Sequence, residues 1–103
     1  MPHRPTAVFC ADDLLAPGVL QALYGAGLRV PDDIAVVGYD DIEFAASAVV
    51  PLTSVRRPAV AMGRQAGRLL IEDTAPGAAH EHAHVVLRPE FVVRRSTMEA
   101  PAR

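Results

Sequence analysis

Two apolar runs in this chain end in paired carboxylates: AVFCADD at 7–13 and IAVVGYDD at 34–41. Three kinds of chemistry suit such pairs. An aspartate at a helix start accepts backbone N–H bonds and faces the positive end of the helix dipole. That accounts well for one member of each pair, Asp13 and Asp41, and less well for Asp12 and Asp40. Clustered carboxylates also bind Mg²⁺ through oxygen. A phosphoryl-transfer site adds cations, often lysine, to offset phosphate charge. All ten basic residues here are arginine, and no Gly-rich phosphate loop is present. An enzyme is therefore not expected. The third chemistry is recognition of a polar small molecule: a carboxylate accepts two hydrogen bonds from vicinal hydroxyls, or from ring N–H groups, at fixed geometry. With an arginine such as Arg57 and an aromatic wall such as Tyr39, Asp12 and Asp40 make a sugar or nucleobase pocket.

Those side chains need elements that bring both pairs to one place. Residues 6–11 (TAVFCA) form a continuous apolar run between Pro5 and Asp12, as suits a strand covered on both faces. Leu14, Leu15, Val19, Ala22, Leu23 and Ala26 recur at helical spacing, and Gly25 and Gly27 supply a stop. Pro17 requires either that the regular helix begin near Ala16 or that its first turn be distorted. Val30–Asp33 reads as a turn and Ile34–Gly38 as a second buried strand. Strand, helix and strand make a βαβ unit with a right-handed crossover. Ligands of open parallel sheets sit beyond the carboxyl ends of the strands, so both aspartate pairs are expected on one rim.

Further along, Asp41–Val49 predicts a shorter helix ended by Pro51, and Leu52–Val55 a short strand closed by Pro58. Ala59–Asp73 is amphipathic, with Val60, Gly63, Ala66, Gly67, Leu70 and Ile71 on its expected inner face. Residues 74–83 read as a loop, His84–Leu87 and Glu90–Val93 as strands interrupted by Pro89, and 98–103 as a flexible tail. The expected class is α/β: a parallel βαβ sheet with flanking helices.

The bulk numbers bound the function. The 103 residues suit one small domain, half of them apolar and 21% charged, which reads as globular. No stretch nears the roughly 20 apolar residues of a membrane span, and no secretory signal is evident. The single cysteine fits a reducing compartment, so the expected location is the cytoplasm. The net charge is −2 and the arginines are scattered, with Arg56-Arg57 and Arg94-Arg95 the densest clusters. Direct nucleic-acid binding by this chain is not expected.

The string TAVFCADDLLAPGVLQALYGAGLRVPDDIAVVGYDDIEFA, followed by PLTSVRRP, AMGRQAGRLL and PEFVVRRST, closely resembles the C-terminal part of the lactose/galactose-repressor (LacI/GalR) family. The resemblance runs through nearly all of residues 5–97, and the ordered combination of GYDD, P-LT-V and terminal R-ST is specific. It implies a partial periplasmic-binding-protein-like (type I) lobe from a bacterial transcriptional regulator. In such regulators two α/β lobes clamp a small effector, and the resulting shift changes DNA affinity through a separate helix-turn-helix head. Residues 1–97 would then be the C-terminal portion of the effector-binding and dimerisation domain. By matching motifs, Asp40 is the effector-binding aspartate. Asp12 stands where many members carry a ligand-contacting asparagine, and Arg57 stands at a frequent polar ligand contact. Asp12 in place of asparagine loses two N–H donors and gains a charge, favouring a hydroxyl-rich or cationic ligand. A homodimer, with or without exchanged elements, is expected, and no cofactor. The alternative is a headless interaction module that dimerises with full-length regulators without binding ligand.

Other candidate groups read more simply. His80, His82 and His84 alternate, and if extended all three would reach one zinc, but no fourth ligand follows and a solvated loop is the better reading. Cys10 lies inside an apolar strand and reads as an inert small hydrophobe. Arg94 and Arg95 should point to opposite faces. Tyr24 and Phe44 read as packing or dimer contacts.

Overall fold

A computed structural model of the chain describes residues 4–74 and 84–98. Most of the expected loop, including His80 and His82, and residues 99–103 of the expected tail lie outside the described residues. The chain divides into two units, Met1–Arg56 with Glu90–Arg103, and Arg57–Pro89.

The first unit opens with β1 (Ala7–Phe9), α1 (Ala16–Gly25) and β2 (Ala35–Val37). β1 and β2 pair in parallel with Ala7 opposite Ala35 and Phe9 opposite Val37, as the βαβ reading expects. α1 starts at Ala16, because Pro17 at the first turn lacks an N–H that would have no helical partner there anyway. Its buried residues are Ala16 and Leu20, whereas Leu14 and Leu15 are exposed. The expected stripe was therefore displaced. Asp12 holds both leucines in a turn ahead of the helix, out of its register.

The turn at Val30–Asp33 forms as read: Arg29 O accepts from Asp33 N (2.9 Å) and Ile34 N (3.1 Å), and the Val30–Pro31 bond is cis. α2 covers only Glu43–Ser47, shorter than expected at both ends. Asp41 has a positive φ of 54° and cannot sit in a right-handed helix, and Ala48 is already extended.

β3 (Ser54–Arg56) joins β2 through one parallel bridge, Val37 to Thr53. β4 (Glu90–Val92) then pairs with β3 in the antiparallel sense, Arg56 opposite Glu90. The parallel βαβ pairing of β1 and β2 is the expected one, and β3 and β4 form a second, two-stranded antiparallel sheet. A 3-10 turn at Arg95–Thr97 follows. Its Ser96 is buried, with its hydroxyl taking the Thr53 N–H (2.8 Å) and donating to Val36 O (2.5 Å). Thr53 Oγ1 in turn accepts the Arg94 N–H at 2.8 Å. These cross-links tie β2, β3 and the segment after β4 together. The core is Cys10, Ala16, Leu20, Val30, Val36, Ala45 and Leu52.

In the second unit, α3 (Ala59–Thr74) forms over nearly the expected range. Its better-covered side differs from the expected one: Met62, Gln65, Ala66 and Leu69 line a hollow of about 170 Å³ with Val85 and Leu87, while Val60, Leu70 and Ile71 are exposed. Residues 84–87 form no strand; Val85 and Leu87 line the hollow with α3, whereas Val86 is exposed.

Candidate functional site

The carboxyl ends of β1 and β2 are adjacent, and the loops beyond them stay in contact. Cys10 N donates to Val37 O (2.7 Å) and Asp13 N to Tyr39 O (2.9 Å). This brings Asp12, Tyr39 and Asp40 to one rim, as expected, with all three half-buried. Arg57 is exposed and opens the second unit, so its place at a site rests on the resemblance.

The division of labour within the pairs differs from the expected one. Asp12 does the local capping: its Oδ1 accepts the Leu14 and Leu15 N–H groups at 2.8 and 3.0 Å. Asp13 turns inward and is fully buried. Its Oδ1 accepts the Ser54 hydroxyl (2.8 Å) and its Oδ2 the Ile42 N–H at the head of α2 (2.9 Å). The carboxylate that caps α2 therefore comes from the other pair and ties the two rim loops together. Burying a carboxylate is costly unless its lone pairs are filled, and these two donors fill both oxygens. Gly38 leaves the room: a Cβ there would collide with Asp13 Oδ1 and Leu52 Cδ2.

Asp40 and Asp41 carry the turn. Their φ angles are 109° and 54°, rare for residues other than glycine and costing about 1–3 kcal/mol each. The backbone is held by Asp40 N to Val55 O (2.9 Å) and Asp41 N to Ser54 Oγ (3.0 Å). The Asp41 side chain is 6% exposed, between two guanidinium groups. Arg94 donates to its Oδ1 at 2.6 Å and Arg56 to its Oδ2 at 2.7 Å. The Arg94 bond above all, then that of Arg56, holds the Asp41 carboxyl below the usual carboxylate range against the opposing effect of burial. Arg56 also reaches Glu90 (3.1 Å), and the same Arg94 nitrogen reaches Leu52 O (2.9 Å).

Sequence reasoning missed Asp13 as a tie between loops, and Arg94 and Arg56 as the partners of Asp41. Their separations, 29 residues for Asp13 to Ile42 and 53 for Arg94 to Asp41, leave no local pattern. The only signal was the motif set itself: GYDD, P-LT and R-ST name residues that the structure joins. Burial first, then the nearby Asp13 and Asp12, pushes the Cys10 thiol up, so it stays protonated and a poor nucleophile. Among the described residues no three of His, Cys, Asp and Glu gather to hold a metal ion. Nor is any helix among them long and apolar enough to cross a membrane.

Loops that meet beyond the ends of parallel strands, with polar side chains on them, are the layout of an α/β ligand-binding lobe. The chain belongs to the periplasmic binding protein-like domain family, whose sequence model matches residues 1–97. Its relatives are LacI-family transcriptional regulators, not enzymes. It is 47% identical over 96 residues to the HTH-type transcriptional regulator MalR of Streptomyces coelicolor, covering 93% of this chain and 28% of the relative. Among solved structures it is similar to the transcriptional regulator CelR in complex with cellobiose (TM-score 0.81, 44% identity), covering 88% of this chain and 28% of that one. It is also similar to the lac repressor dimer bound to operator and the anti-inducer ONPF (TM-score 0.78, 35% identity), covering 92% and 28%. The chain thus spans under a third of the length of the curated relatives it matches.

Proposed function

We propose that residues 1–97 are the C-terminal portion of the effector-sensing domain of a LacI-type transcriptional regulator, and that their acidic rim contacts a hydroxyl-rich small molecule. The observation that carries this is the meeting of the two loops beyond β1 and β2, with Asp12, Tyr39 and Asp40 together on them. Asp40 accepts ligand hydroxyls or ring N–H groups. Asp12, already accepting two backbone N–H bonds through Oδ1, offers its other oxygen. Tyr39 supplies an apolar wall, and Arg57, on the resemblance, a further polar contact. Cellobiose, held by the related CelR, is the kind of ligand this chemistry suits. The chain itself makes no direct contact with DNA in this reading and acts as a homodimer in the cytoplasm.

The test is thermal denaturation of the 103-residue chain across a panel of disaccharides, pentoses and nucleosides. A ligand at 100 times its Kd adds about 2.7 kcal/mol of stability. Stabilisation by a panel member, abolished in Asp40→Ala, is the expected result; no shift with any of them overturns the reading.

The exposure of Phe9 (65%), Leu14 (76%) and Phe91 (60%) favours a second reading. In it the chain is an interaction module that pairs with full-length regulators and binds no ligand. Co-elution with a full-length family member, unaffected by sugars, supports that reading instead.

A further inference from the structure

We propose that Asp41 is the positioning residue of the rim: its pairing with Arg94 and Arg56 holds the neighbouring Asp40 in the backbone conformation that presents its carboxylate. The presentation to a ligand rests on the function proposed above; the positioning does not.

Asp40, at φ 109°, lies beyond the left-handed helical region that aspartate tolerates, and Asp41 follows it at φ 54°. A turn with two such residues relaxes unless its surroundings fix it. Two backbone bonds, to Val55 O and Ser54 Oγ, fix it along one side. The Asp41 carboxylate fixes the other, because its two oxygens are taken by guanidinium groups from different segments, Arg56 on β3 and Arg94 beyond β4. Arg94 is itself anchored, its NH1 donating to Leu52 O and its backbone N–H to Thr53 Oγ1. The chain from Asp41 through Arg94 to Leu52 is therefore a brace across the turn. With both carboxylate oxygens occupied, Asp41 acts on a ligand through Asp40.

The experiment is residue-resolved amide hydrogen exchange on the ¹⁵N-labelled 103-residue chain. Cys10, whose N–H bonds Val37 O between β1 and β2, serves as the internal reference. Asp41→Asn keeps a residue suited to the left-handed region, removes the charge and turns one of the two acceptor oxygens into an NH2 donor facing a guanidinium. Exchange at Asp40 should then quicken by about 10- to 100-fold relative to Cys10, the effect of losing a charge-assisted hydrogen bond. Arg94→Met should do the same, and Arg94→Lys, whose ammonium can replace the single NH1, should stay close to the parent chain. Equal quickening at Asp40 and Cys10 means general loosening and overturns the proposal, as does unchanged exchange at Asp40. The sugar panel judges the ligand reading separately, so the failure of either is seen by itself.

Discussion

Each residue of GYDD does a different physical task. Gly38 is small because the Asp13 carboxylate and a Leu52 methyl stand where its Cβ would be, the latter at 2.8 Å. Gly38→Ala should therefore destabilise by about 1–3 kcal/mol through overpacking, read as a lower urea midpoint with an unchanged slope. Asp41 carries a pH signature. The groups facing it are Arg94 and Arg56, with Glu90 beyond Arg56. Its carboxyl is held below its ordinary value by the Arg94 bond first. A lowered folded value contributes stability that is complete above the unfolded carboxyl range, near pH 4, and fades as pH falls through the folded value. The parent chain should thus exceed Asp41→Asn in stability at pH 7, and the gap should narrow as the pH falls below the unfolded carboxyl range. Asp33, lowered mainly by the Arg29 backbone N–H, titrates alike in both proteins and cancels from the difference.

Among the elements, the 3-10 turn after β4 has the most to do relative to its length. Ser96→Ala would leave the Thr53 N–H and Val36 O without their buried partner, an expected loss of about 1–3 kcal/mol or more. Chemical denaturation measures it. Little in the sequence announces this turn, whereas β1, α1 and β2 were readable from their apolar runs. The reason is range. Consecutive apolar residues mark both strands, as in AVF and AVV, although only β2 has a buried residue and β1 stays largely exposed, contrary to the expected cover on both faces. The antiparallel pairing of β4 depends on partners 34 or more positions away, such as Arg56 and Glu90. The rim was legible because strand ends are set by those local runs and the GYDD motif marks one of them. Which aspartate faces inward was not, because neighbouring residues on a turn look alike until φ assigns them. The expected capping by Asp41 failed for that reason, and Asp13 caps α2 rather than the helix that follows it; the inner face of α3 was misread because its partners, Val85 and Leu87, lie outside its own sequence.

At the scale of the molecule, the first unit leaves large apolar side chains uncovered, among them Phe9 at 65% and Val49 at 99% exposure. Isolated exposed apolar residues are ordinary, but several large ones on a small unit favour association. Sedimentation at tens of micromolar should give twice the 11.0 kDa chain mass; a monomer persisting at high concentration contradicts the homodimer. The order in which the parts are made has its own consequence. Ser96 reaches back 60 positions to Val36, and Arg94 reaches back 53 to Asp41. A ribosome adding roughly 5–20 residues per second makes the acidic turn some 3 to 10 s before its brace. For that interval the nascent chain carries the acidic turn with its bonds to Ser54, Val55 and Arg56 available but without the Arg94 brace.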